Sequence, residues 1–128
     1  NIVNDRKPFR IKGDDQMVFP ITSALLDALV LAVVAKEDTY GYKLTQEVKD
    51  MMEVSESTLY PVLRRLTREG YLETYDQEHM GRNRRYYRLS DRGKRKYKEY
   101  MEEWRSFKRK IDMVLERGDE DDKTGIHG

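Results

Sequence analysis

The sequence predicts a mainly α-helical chain with one small β-hairpin: three short helices, the hairpin, and a long C-terminal helix. Three observations predict it. Helical apolar patterning fills Ala24–Glu69 in three segments, the pattern switches to period two after Gly70, and apolar residues then recur at alternating steps of three and four from Tyr97 to Val114. The 128 residues suffice for one ordinary core and not for two.

Thr22 or Ser23 is placed to cap the first helix, Ala24–Lys36. That helix is apolar almost all the way round, apart from Asp27, so it must be covered on more than one side, and a subunit interface is one way to cover it. Glu37–Gly41 interrupts it. A second, amphipathic helix follows, with Tyr42, Leu44, Val48 and Met51 or Met52 on one side and Lys43, Gln46, Glu47, Lys49 and Asp50 mostly on the other. Val54–Glu56 forms a short polar break. The third helix runs to about Glu69, with Gly70 as its left-handed terminator. Leu59, Val62, Leu63 and Leu66 form its core stripe; at about 100° per residue the opposite face carries Ser57, Pro61, Arg64 and Arg68, flanked by Tyr60 and Arg65. Pro61 removes one backbone hydrogen bond near the helix start and is expected to bend the helix rather than break it.

Aromatic and β-branched residues in Tyr71–Tyr75 and Arg85–Leu89, around a turn at His79–Asn83 that contains Gly81, predict the hairpin. Arg82, Arg84 and Arg85 gather at its expected tip. Ser90 is a good cap for the fourth helix, which is expected to run through Leu115 and end at Gly118. Its Tyr97, Tyr100, Trp104, Phe107, Ile111 and Val114 form a heptad seam, predicting that part of the helix projects and pairs with a second copy. The expected organisation is a polar N-terminal arm over 1–16, natural or vector-derived, a folded domain over 17–92, a dimerisation helix over 93–118 and a disordered acidic tail over 119–128.

Several function classes are excluded on composition. The chain has no cysteine, hence no disulfide and no thiolate zinc site, and its two histidines, His79 and His127, stand far apart, so neither a metal nor another cofactor is expected. The apolar run Ala24–Ala35 falls short of the roughly 20 residues a membrane-crossing helix needs. No signal-like segment opens the chain, which fits a cytoplasmic protein. There is no glycine-rich phosphate loop or nucleophile motif, and Asp119–Asp122 lacks the glycine and spacing of a calcium loop, so an enzyme is not expected.

Charge is the positive signal. The net charge is +1, yet Arg64–Lys98 holds twelve Lys or Arg against five Asp or Glu, whereas Asp112–Gly128 holds two against six. Such segregation points to an anionic partner for the middle of the chain. Three helices followed by a hairpin is the winged helix-turn-helix order, in which the third helix enters the major groove and the wing reaches the neighbouring backbone or minor groove. Candidate DNA contacts are therefore Ser57, Thr58, Tyr60, Arg64, Arg65 and Arg68 on the helix and Arg82, Arg84 and Arg85 on the wing. Arginine forks onto phosphate or guanine, and hydroxyls donate to phosphate oxygens. Arg65 has a second option, a helical bridge to Glu69. The rival function is a winged-helix module used for protein interaction, whose binding would ignore salt.

From Leu25 to Leu89 the chain resembles the PadR family of bacterial transcriptional regulators. The resemblance is carried by Leu25, Leu26 and Val30–Val34, by Tyr40-Gly41-Tyr42, by Ser57-Thr58-Leu59-Tyr60-Pro61 with Leu63, Arg65, Leu66 and Gly70-Tyr71-Leu72, and by Arg84-Arg85-Tyr86-Tyr87-Arg88-Leu89-Ser90 leading to Gly93. It implies a homodimer that binds an inverted-repeat, palindromic operator in double-stranded DNA and is held together by its C-terminal helix. It also implies repression, relieved in some members by a small aromatic or cationic compound. In part of the family an aromatic residue on the last helix stacks on flat ligands. Trp104 falls at the matching place, although packing in the dimer core is the simpler role for it.

Overall fold

Helix α1 (Ser23–Lys36) starts where a cap is available: Thr22 Oγ1 accepts from the Leu25 N–H at 3.2 Å in this computed structural model, which describes residue 19 and residues 21–117. The expected arm over 1–16, the Gly118 terminator and the acidic tail lie outside the described residues. The chain divides after Tyr97 into two compact units.

The first unit follows the expected order with one addition. Helix α2 spans Gly41–Met52 and α3 spans Glu56–Arg68; the hairpin strands are Leu72–His79 and Arg82–Leu89. The segment expected as a plain break after α1 contains a two-residue strand, Thr39–Tyr40. We number these strands β1 (Thr39–Tyr40), β2 (Leu72–His79) and β3 (Arg82–Leu89); they form one antiparallel sheet in the order β1-β3-β2. Thr39 pairs with Tyr87 and Tyr40 with Tyr86. A strand this short leaves no alternation to read in the sequence, and it exists because β3 offers it a partner.

The core is built from one side of each element. Leu31, Leu44, Leu59, Leu63, Leu66 and Leu72 are among its fully buried side chains, each stabilising the fold by about 1.5–3 kcal/mol. The α3 stripe Leu59, Val62, Leu63 and Leu66 is buried as expected, which turns Ser57, Pro61, Arg64 and Arg68 to the surface. On α2 the expectation needs correcting. Tyr42 is 59% exposed, and Thr45 takes a core position, its hydroxyl donating to the Tyr42 carbonyl at 2.9 Å. That internal bond lets a threonine occupy an apolar site.

The hairpin is longer than expected. Its turn is Met80-Gly81, both with positive φ, 53° and 80°, as two-residue hairpin turns of the primed type require. Arg82, Arg84 and Arg85 therefore lie on β3 and not in a loop. The far half of the hairpin shows no apolar alternation because neither face of it is buried, so its pairing left little trace in the sequence.

Helix α4 (Asp91–Leu115) opens on Ser90, which is buried and bonded three ways. Its hydroxyl accepts from the Gly93 N–H at 2.9 Å and donates to the Gly70 carbonyl at 2.6 Å, with the Tyr71 carbonyl at 3.2 Å. Gly93 is itself buried. A Cβ there would overlap the Tyr71 carbonyl oxygen and lie 3.0 Å from its carbon. From Lys98 onward α4 belongs to the second unit. No described helix is long and apolar enough to cross a membrane.

Candidate nucleic-acid interface

Helix α3 is fixed at its start by hydroxyls. Ser55 caps it, its Oγ accepting from the Thr58 N–H at 3.3 Å and sharing hydrogen bonds of 3.0 Å with the hydroxyls of Ser57 and Thr58. Ser57 and Thr58 remain exposed. The Glu56 carboxylate accepts a short bond from the Gln46 amide, tying α3 to α2. The helix stays continuous through Pro61, which lies on its exposed face.

One and two turns further on stand Arg64 and Arg68, both exposed and neither ion-paired with another described residue. With Ser23, Pro61, Val62 and Arg65 they line a shallow groove between the start of α1 and the outer face of α3. Arginines at such a groove are available to an anion, because no described residue competes for their forks.

The helix meets the wing at Tyr87. Its ring and that of Tyr60 both rest against Gly41 at the start of α2; a Cβ there would lie 3.6 Å from Tyr87 Cε1 and 3.8 Å from Tyr60 Cε1. Burial raises the Tyr87 hydroxyl above the ordinary tyrosine pKa; Arg85 lowers it, Tyr60 raises it, and Arg64 again lowers it. One phenol thus senses an arginine from α3 and another from β3. Tyr87 was not among the residues expected at the site. The available signal was the pleat, since Arg85, Tyr87 and Leu89 alternate onto one face of β3 and Leu89 is core.

The other face of β3 carries Arg82, Arg84, Tyr86 and Arg88. Arg84 stacks over the Tyr40 ring, its guanidinium carbon 4.4 Å from the centroid, and its Nε is enclosed without a hydrogen-bond partner. Tyr86 lies between Tyr40 and Tyr75, with centroids 5.6 and 5.5 Å away. Arg88 bonds Glu73 at 3.1 Å and covers Tyr75. Arg84 is therefore part of an aromatic stack that stiffens the wing, a different setting from the free tip anticipated for it. Arg82, beside the turn, is exposed and without an ion pair among the described residues, while Arg85 lies 3.5 Å from Asp76 in an exposed pair that contributes little to stability.

Arg65 also departs from expectation. Its Nη2 donates to Asp27 Oδ1 at 2.5 Å and its Nη1 to Glu69 Oε1 at 3.4 Å, so both ends of the fork are taken up within the protein. The bridge to Glu69 is the second option weighed for it; the inward partner on α1 lies 38 residues away in sequence and carried no local signal.

The structure thus brings Ser57, Thr58, Tyr60, Arg64, Arg68 and Arg85 to the helix side of the unit, with Tyr87 among them, and leaves Arg65 and Arg84 in other roles. On α4, Tyr97 and Tyr100 are half-buried, whereas Trp104, Phe107, Ile111 and Val114 are between 39% and 59% exposed. Trp104 and Phe107 lie side by side, ring centroids 6.2 Å apart.

Comparison with known proteins gives the following. Residues 30–99 match the model of the transcriptional regulator PadR-like family. The protein smu.1704 of Streptococcus mutans UA159 is 44% identical, with a TM-score of 0.74 over 78% of this chain and 94% of that one. A PadR family transcription regulator of Clostridium difficile R20291 is 29% identical, with a TM-score of 0.66 over 70% of this chain and 97% of that one. PadR of Bacillus subtilis, solved in complex with operator DNA, shares the fold at 24% identity and a TM-score of 0.54, over 60% of this chain and 46% of that one.

Proposed function

The chain belongs to the PadR-like family of transcriptional regulators, and from that premise we propose that it is a cytoplasmic repressor that binds an inverted-repeat DNA operator as a homodimer. The observation that carries this reading is the exposed cationic face of α3, where Arg64 and Arg68 have no ion-pair partner among the described residues beside Ser57 and Thr58, continued across Tyr87 to Arg85 on the wing. Arg64, near the middle of the outer face, reads base edges in the major groove. Arg68, Arg82 and Arg85 contact phosphates, Ser57, Thr58 and Tyr60 donate to the backbone, and Tyr87 holds the helix against the wing. That PadR of Bacillus subtilis, which shares the fold, was solved in complex with operator DNA supports DNA as the partner of this chain.

Dimerisation rests on two uncovered apolar surfaces. At about 100° per residue, Leu25, Ala28, Leu29 and Ala32 form an arc of α1 that is half-exposed, opposite the buried Val30, Leu31 and Val34. The α4 seam at Trp104, Phe107, Ile111 and Val114 is the second. Side chains of this size exposed in series on one face mark an association surface. We assign them to the pairing of two copies, with Trp104 also offering its ring to a small aromatic effector that relieves repression.

A fluorescence-anisotropy titration with a random pool of short duplexes at two salt concentrations, followed by sequencing of the bound fraction, checks the reading. Three phosphate-contacting arginines per protomer predict roughly a thousand-fold loss of affinity between 50 and 200 mM salt for the dimer. The enriched sequence should be an inverted repeat with half-sites about 10 base pairs apart, centre to centre. Binding indifferent to salt would instead identify a protein-interaction module.

A further inference from the structure

We propose that the Asp27 carboxylate is a positioning group for base recognition: through Arg65 it sets the roll of α3 on α1, and with it the aim of Arg64. This inference rests on the DNA reading above and assigns a role to the charged residue that interrupts an otherwise apolar helix.

Asp27 is 7% exposed and lies among Leu26, Val30 and Leu31 on the buried side of α1. Its side chain is 11% exposed and that of Arg65 30%, and their atoms meet at 2.5 Å. A pair of well-packed apolar residues commonly serves stability as well as or better than a buried ion pair, because both charges must be stripped of water. Stability alone therefore gives α1 no reason to carry Asp27. What the pair supplies is direction. A leucine stripe allows a helix to roll by several degrees while keeping contact, whereas a short charge-assisted hydrogen bond holds one orientation. Glu69 limits the fork from its other end, 3.4 Å from Nη1.

The consequence falls on the neighbouring residue. Arg64 precedes Arg65, and the two share one rigid helix with Arg68. At a helix radius of about 5–6 Å, a roll of about 15° displaces the outer face by roughly 1.5 Å, enough to break a bidentate bond to a base edge. A phosphate contact through a flexible arginine tolerates the same displacement. Loss of the pair should therefore impair sequence preference and leave backbone binding alone.

The experiment uses the full chain and the duplex enriched from the random pool. Three variants are compared with the parent: Asp27→Asn, Arg65→Met, and the apolar double variant Asp27→Leu with Arg65→Met. Circular dichroism gives the melting midpoint of each, and anisotropy is read at a temperature where all are folded. The double variant is expected to bind the random pool with the parent's affinity and salt dependence, while its preference for the enriched duplex falls about tenfold for one lost base contact. A double variant that keeps the parent's preference would overturn the proposal and leave the pair a purely structural one. So would an equal loss on random and enriched duplexes, since a general weakening is not a positioning effect. Should the double variant be unstable, Asp27→Asn read against Asp27→Glu decides: rescue of preference by the glutamate is expected, and equal preference in both refutes the role. A parent that binds duplex but enriches no sequence also overturns the proposal while leaving backbone binding intact, and a parent that binds no duplex refutes the DNA reading itself.

Discussion

Replacing Gly93 by alanine sets helix propensity against packing. Alanine in a helix interior is favoured over glycine by about 1 kcal/mol, and a stabilised variant is the outcome that propensity alone predicts. The structure predicts the reverse. The new Cβ would overlap the Tyr71 carbonyl oxygen, with the carbonyl carbon at 3.0 Å and Leu89 Cδ2 at 3.4 Å. That carbonyl cannot swing aside freely, because it accepts from the Ser90 N–H at 3.1 Å and lies 3.2 Å from the Ser90 hydroxyl. The first turn of α4 must therefore move away from β2. Overpacking of this kind costs about 1–3 kcal/mol, and the displacement also strains the Ser90 cap, worth about 1 kcal/mol. After the propensity gain is subtracted, the net loss is about 1–3 kcal/mol, or roughly 5–20 °C in melting midpoint for a unit of this size. Thermal unfolding followed by circular dichroism decides the matter. A midpoint equal to or above the parent's would refute the close approach of α4 to Tyr71.

Three further outcomes are expected. Phe107→Glu or Ile111→Glu on the exposed seam should give a monomer by sedimentation with the first unit still folded; an intact dimer would move the interface away from α4. Arg82→Ala should weaken binding to all duplexes alike and lower the salt slope by about 2 for a dimer, one counterion-releasing contact having gone from each protomer; an unchanged slope would remove Arg82 from the phosphate contacts. Tyr87 has a pKa raised by burial above the ordinary 10.0, so folding favours its neutral form. The associated stability is fully present below 10.0 and is lost as pH rises through the raised value. Tyr87→Phe should accordingly flatten the alkaline decline in melting midpoint, and an identical decline in both proteins would argue against a buried phenol.

Much of the fold was legible locally. The stripe of Leu59, Val62, Leu63 and Leu66 identified both the buried side of α3 and its outer arginines, because a helix repeats on a short period and one apolar face must be covered. Thr22 and Ser90 were readable as caps and Gly70 as a terminator, since each answers to backbone groups a few residues away. The Tyr97–Val114 seam announced a long helix in the same way.

What the sequence could not determine depends on residues distant in the chain. Thr39–Tyr40 is a strand because Tyr86 and Tyr87 pair with it, and two residues carry no periodicity of their own. On α2 Tyr42 leaves its expected apolar side for solvent and Thr45, to which the pattern assigned no side, is buried, its hydroxyl satisfied by the Tyr42 carbonyl. Arg65 and Arg84 have the same composition and local charge as Arg64 and Arg82; one turns to Asp27 and the other stacks on Tyr40. Local pattern determined the apolar face of α3, the order of the helices and hairpin, and the caps of α1 and α4. The assignment of individual arginines to solvent, to a carboxylate or to an aromatic ring was decided by tertiary structure, because a long flexible side chain takes its partner from whatever the packed backbone places within reach.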